Sequence, residues 1–139
     1  MKTEALSGGQ LPRRFELYAH GFRWTGDSLG DRREIDPGQV EICRRFLSAC
    51  KPSKKAGVGS YGLKHVVERW ASEYVSNGAC IQAAIDLGLP VVPQFRGYSL
   101  FQALAGGSDS RFRDERPLNA YIGVSRGSVA HTAAGKAGG

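Results

Sequence analysis

The order of signals along the chain predicts a mainly α fold with a small β component, an α+β arrangement of three helices and a short two-stranded hairpin, compatible with a winged helix-turn-helix or with a less specific mixed fold. Three observations carry this. Two successive stretches, Val40–Cys50 and Leu63–Tyr74, place apolar residues at helical spacing. A third helical stretch, Ala79–Leu87, follows within a few residues and is closed by Gly88 and Pro90. Two runs rich in β-branched and aromatic residues, Val91–Phe95 and Asn119–Ser125, then supply the strands. At 139 residues the chain holds one domain, long enough to bury a core without a disulfide or a metal.

Taken in order, residues 1–14 are polar, end in Pro12-Arg13-Arg14, and are expected to be flexible. A single globular domain is expected over 15–126. Phe15–Trp24 is aromatic-rich and suits a short strand or turn packed on the core, and Thr25–Glu34 is a Gly/Asp/Arg loop. Asp36 is then a helix N-cap with Pro37 at the first position and Gln39 at the third. Val40, Cys43, Phe46, Leu47 and Cys50 form the apolar stripe of that helix, which Pro52 ends. Ser60 is the expected cap of the next helix, running to about Val75. Its stripe is Leu63, Val66, Val67, Trp70 and Tyr74, with Lys64, His65, Glu68, Arg69 and Ser72 outward and Arg69 spaced to pair with Glu73. Asn77-Gly78 reads as its stop. The third helix would turn Ile81, Ala84 and Ile85 inward. The prolines of Val91–Phe95 make that strand an edge. Ser99–Gln102 has capping-box spacing ahead of Leu104, Gly106–Arg116 is a polar loop, and 127–139, small residues ending in a Gly-rich run, is expected to be a flexible tail.

Charge narrows the function. The net charge is +6, and between Ile42 and Val67 lie Arg44, Arg45, Lys51, Lys54, Lys55 and Lys64 with no acidic residue. The other 13 basic residues cancel the 13 acidic ones. A local positive field of this kind draws phosphates or acidic protein surfaces. No apolar run is long enough for a membrane span, and the first residues lack the apolar core of a secretory signal. Cys43, Cys50 and Cys80 have no metal-type spacing and fit buried, reduced thiols, so a cytoplasmic protein is expected.

Gly57, Gly59 and Gly62 spell G-x-G-x-x-G ahead of a helix, with Lys64 in its first turn. Glycines let backbone N–H groups approach an anion, and a helix N-terminus favours negative charge. A dinucleotide site also needs a strand directly before the motif within a β-α-β unit, and Lys51–Ala56 is no strand, so no cofactor is expected. His65 and Glu68 share one turn, yet no third ligand lies nearby, so no metal is expected. Scattered histidines and cysteines on apolar stripes give no support for a catalytic nucleophile. The candidate binding residues are therefore Arg44, Arg45, Lys51, Lys54, Lys55, Ser60, Lys64, His65 and Arg69. The exposed side of the third helix offers Gln82 and Asp86 and no positive charge, a poor recognition helix.

From Ser60 onward the chain resembles a group of small proteins carried by proteobacterial mobile elements and prophages. The matching residues are Ser60-Tyr61-Gly62-Leu63-Lys64-His65 with Glu68, then Tyr74-Val75-Ser76-Asn77-Gly78-Ala79 with Ile81 and Ala83-Ala84, and finally Asn119-Ala120 with Gly123-Val124-Ser125. The resemblance covers about a third of the chain and implies a context rather than a chemistry. What the resemblance implies is that context, in which small mobile-element proteins often bind DNA, regulate transfer, or block host defence such as CRISPR or restriction systems. Two readings follow: a non-enzymatic protein that binds the phosphate backbone of DNA through a basic loop-helix patch, or an anti-defence inhibitor docking on a host nucleoprotein.

Overall fold

The computed structural model describes residues 15–24, 33–94 and 118–135. The element order is β1 (Phe15–Tyr18), β2 (Gly21–Trp24), α1 (Pro37–Ser48), β3 (Val58–Gly59), α2 (Ser60–Ala71), α3 (Asn77–Asp86), β4 (Val91–Pro93), β5 (Ala120–Ile122) and α4 (Arg126–Ala134). This is a mixed α+β fold with four helices and two small antiparallel sheets among the described residues, one helix more than the sequence predicts. The capping-box stretch at Ser99–Gln102, the 106–116 loop, the N-terminal 14 residues and most of the 25–34 loop lie outside the described residues.

The structure is built around α3. Ala79, Cys80, Ile81, Ala83, Ala84 and Ile85 are all buried, so this helix is apolar on nearly every side rather than along one stripe. Only Gln82 and Asp86 look outward, bonded to each other at 2.8 Å. A helix enclosed in this way has no face to lay in a DNA groove, which removes it as a recognition helix. Its most extensive neighbour is α1, whose Cys43, Phe46 and Leu47 form the opposing layer. Cys43 and Cys80, both fully buried, lie next to each other at that seam.

Both ends of α2 differ from the sequence expectation. Ser60 is the first helical residue rather than the cap; its buried hydroxyl accepts the Ala120 N–H at 2.9 Å and so ties the helix start to β5. The helix stops at Ala71, not near Val75, because Ser72 takes the left-handed conformation (φ 57°). Glu73 and Tyr74 therefore lie beyond the helix. Glu73 cannot pair with Arg69 as an i,i+4 neighbour, and Tyr74 leaves the apolar stripe for solvent. Leu63 and Val67 are buried and Trp70 packs edge-on against Phe46 (5.2 Å between centroids, 76° between planes).

Asn77-Gly78 likewise opens α3 instead of closing α2. The Ser76 side chain caps the new helix by accepting the Ala79 N–H at 3.0 Å. Glycine is required at 78 because the β1–β2 hairpin crosses directly over it. A side-chain carbon there would lie inside the Tyr18 carbonyl oxygen's contact shell and 2.8 Å from the carbonyl carbon. The Gly78 N–H donates to the Ala19 carbonyl at 2.8 Å, and the Asn77 amide donates to the His20 carbonyl and to the Asn119 side chain.

β5 is the centre of the larger sheet, with β3 and β4 antiparallel on its two sides. Ile122 stands opposite both Val58 and Val91 on the buried face, while Tyr121 stands opposite Gly59 and Val92 on the outer one. Among the described residues β4 is an edge, as its prolines predict.

The tail expected over 127–139 contains α4 instead. Ser125 caps it by accepting the Ser128 N–H, the Ser128 hydroxyl accepts the Lys51 N–H at 2.9 Å, and the Ser125 N–H donates to the Lys51 carbonyl at 2.8 Å. Val129 is its only buried side chain, which is why no apolar periodicity announces this helix. No helix among the described residues is long and apolar enough to cross a membrane.

Candidate functional site

The loop that follows α1 is pinned at its start and carries its charges free. Pro52 bridges to Val124, and the Ser53 N–H donates to the Gly123 carbonyl at 2.9 Å. Lys51, Lys54 and Lys55 have exposed side chains. The chain then enters β3 through Gly57, whose carbonyl accepts from the Arg126 guanidinium at 2.6 Å. That bond joins the basic loop to the first residue of α4. Arg126 is absent from the sequence-based site because it stands between the expected strand at 119–125 and the expected tail at 127–139, far along the chain from the basic stretch. The only signal in the sequence is Ser125, a residue able to cap a helix, directly before an arginine.

Two clefts open along this junction. The smaller, about 380 Å³, lies between the loop and the α4 N-terminus and is lined by Ser53, Lys55, Gly57, Ser125 and Arg126. The larger, about 480 Å³, runs between α2 and α4, with Gly59, Gly62, Leu63 and Val66 on one side, Val129 and Ala133 on the other, and Arg69 and Arg126 as its cationic walls. Val58 and Arg126 line both, so the two clefts adjoin at these residues and together make a depression bordered by Lys55, Arg126 and Arg69.

The glycine motif takes its meaning from this depression. Gly57 and Gly62 have no backbone angle that demands glycine, and a side-chain carbon at either would touch nothing within 4 Å. Their missing side chains leave space that belongs to the clefts. A dinucleotide reading gains no support from the topology: β3 lies inside the motif and runs antiparallel to β5, which is not a β-α-β crossover.

Lys64, expected on the solvent side, is withdrawn from it. The residue is 7% exposed, and its ammonium donates to Glu68 Oε2 at 3.2 Å and to the Val75 carbonyl at 3.2 Å and lies 4.5 Å from the Tyr74 ring centroid. The long lysine stem reaches past the helix end and ties down the turn between α2 and α3. Glu68 completes the tie by accepting the Val75 N–H at 3.4 Å. Burial by itself raises the Glu68 carboxyl, but the bond and charge of Lys64, with the Val75 N–H and His65, hold it below its ordinary value. Lys64 and Ser60 are thus parts of the scaffold and not phosphate contacts.

His65 stays outward. Its Nδ1 is 2.9 Å from Glu68 Oε1, and its ring meets the Tyr61 ring edge-to-face at 4.6 Å. Arg69 follows one turn later, exposed, at the mouth of the larger cleft. Arg44 and Arg45 are exposed on α1, away from the residues lining either cleft, and Arg44 is engaged by Glu41 at 2.7 Å. Of the nine candidate residues, the structure brings Lys55 and Arg69 to the depression, with Lys51 and Lys54 on the adjoining loop. Among the described residues no three His, Cys, Asp or Glu side chains converge as a metal ion would need.

No family model, no curated protein and no solved structure matches this chain.

Proposed function

We propose that this protein binds nucleic acid through its phosphate backbone, along the depression walled by Lys55, Arg126 and Arg69. One observation carries the reading: Arg126 is shared by two clefts whose floor is opened by glycines and whose charged walls have no acidic partner among the described residues. The α4 N-terminus adds the positive end of its dipole to the same place. The polar residues here are cations and small hydroxyls, suited to phosphate oxygens rather than to base edges, so binding should be weakly sequence-specific and steeply salt-dependent.

The test is a fluorescence anisotropy titration with labelled DNA over a range of salt, using the wild type, the Lys54→Glu/Lys55→Glu double variant and Arg126→Glu. Each phosphate contact removed should lower the slope of log K against log salt by about 0.9 on duplex. The double variant and Arg126→Glu should each weaken binding at least tenfold, whereas reversal of Arg45, which lines neither cleft, should have a much smaller effect. Undiminished affinity in both cleft variants would sink the assignment. A wild type that binds no free nucleic acid would turn attention to the anti-defence reading, in which the same charges meet a nucleoprotein.

A further inference from the structure

Beside the basic depression, the outer face of α2 and the turn after it carry three exposed rings. Tyr61 and Tyr74 are 54% and 57% exposed, unusual for side chains of that size, and the His65 side chain is 42% exposed. They are held from beneath. Glu68 fixes the His65 ring through Nδ1, His65 presents its ring to Tyr61 at 4.6 Å, and the buried Lys64 ammonium sits 5.9 Å from the Tyr61 centroid and 4.5 Å from that of Tyr74. Tyr61, His65 and Arg69 lie at successive four-residue steps on α2, so the ring strip leads into the cationic wall of the larger cleft.

We infer that this strip is a stacking platform for unpaired bases, and that the nucleic acid held by the basic depression is single-stranded. The inference rests on the phosphate-backbone reading and adds a substrate class to it. Rings beside a positively charged groove are the combination by which sequence-tolerant single-strand binders work: the groove follows the backbone and the rings take successive bases. A duplex keeps its base faces stacked inside and offers nothing to such a platform. Pre-positioning matters because a ring already fixed by His65 and Lys64 loses little freedom when a base covers it. Tyr74 has a second role, covering the buried ammonium, which makes Tyr61 the cleaner probe.

The experiment compares a labelled oligothymidylate of about 15 nucleotides with a duplex of the same length at one salt concentration. The proteins are the full-length wild type, Tyr61→Ala, Tyr61→Phe and Tyr74→Ala, each checked for folding by circular dichroism. Wild type should bind the single strand at least fivefold more tightly than the duplex. Tyr61→Ala should lose roughly tenfold on the single strand and little on the duplex, while Tyr61→Phe, which keeps the ring without its hydroxyl, should behave as wild type. Equal affinity for both substrates in the wild type, or an unchanged single-strand affinity in both alanine variants, overturns the stacking platform and leaves the phosphate reading standing. Absence of binding to either substrate overturns both.

Discussion

Two glycines in helices, Gly62 and Gly78, should respond in opposite ways to the same substitution. At Gly62 the new methyl group meets nothing within 4 Å, and the backbone is ordinary helix. Alanine should therefore stabilise the fold by about 0.5 kcal/mol, less than the full glycine-to-alanine difference because the site is in the first turn. At Gly78 the methyl group falls 2.8 Å from the Tyr18 carbonyl carbon and 3.0 Å from Ala19 Cα, where carbon atoms normally keep 3.5–4.0 Å. The hairpin must retreat by about 1 Å. That stretches the Gly78–Ala19 and Asn77–His20 hydrogen bonds, roughly 1 kcal/mol each, and loosens the packing of the fully buried Phe22, worth about 1.5–3 kcal/mol when complete. A net loss of about 3 kcal/mol follows, a large share of the 5–15 kcal/mol typical of a domain. Urea unfolding of the two variants measures both, read as midpoint shifts at constant slope. Because Gly62 also opens the larger cleft, its alanine variant should be the more stable protein and the weaker binder. A Gly78→Ala protein within 1 kcal/mol of wild type would refute the account of the hairpin crossing.

Further outcomes follow from the buried groups. Glu68→Gln should lower stability by about 1–2 kcal/mol at neutral pH, since it removes a charge-assisted bond to Lys64. The folded carboxyl lies below its ordinary value of 4.5, so its contribution is complete above that value and is lost as pH falls through the folded one. The gap between variant and wild type should accordingly close in acid; a gap that stays constant down to acid pH refutes the tie. For the thiols, Cys43 and Cys80 are fully buried and Cys50 nearly so, with the neighbouring Cys43 thiol and burial pushing the Cys80 thiol well up, and burial raising Cys50. None should react with a disulfide reagent in the native protein at neutral pH and all three should after unfolding. Rapid native labelling of any would contradict the packing.

What was legible in the sequence was whatever has a local cause. The Asp36-Pro37 start of α1 and its stripe were readable because capping and burial both act within a few residues, and the side chain of Asp36 does accept the Gly38 N–H at 2.9 Å. The antiparallel partners β4 and β5 are readable as β-branched runs, although 23 residues outside the described set separate Gln94 from Leu118. The misreadings have long-range causes. Asn77-Gly78 resembles a helix stop in isolation, and only the hairpin from residues 15–24 makes that glycine a close-approach site. Lys64 belongs on the polar side of a helical wheel, but its ammonium reaches a turn 11 residues on. α4 has one buried side chain and is held by polar bonds to Lys51 and a contact to Ala49, more than seventy residues earlier, which no window along the sequence can sense.

Tertiary structure moves charge in both directions and so narrows where a phosphate would bind. Lys64 is neutralised in place by Glu68 and Arg44 by Glu41, so two of the six cations that made the stretch from Ile42 to Val67 so basic contribute little to its outward field. Arg126, from the far end of the chain, is delivered to the same surface by its bond to the Gly57 carbonyl. That arrangement makes the site depend on tertiary structure, because the loop lysines and Arg126 are 71 or more residues apart in sequence. A peptide spanning Lys51–Gly78 would retain the glycine motif and the lysines, yet have neither the α4 wall nor the ties that hold β3 against β5. It should bind nucleic acid only as any short basic peptide does, with no preference for single strands. Retention of the intact protein's affinity and preference by that peptide would mean that the depression plays no part in binding.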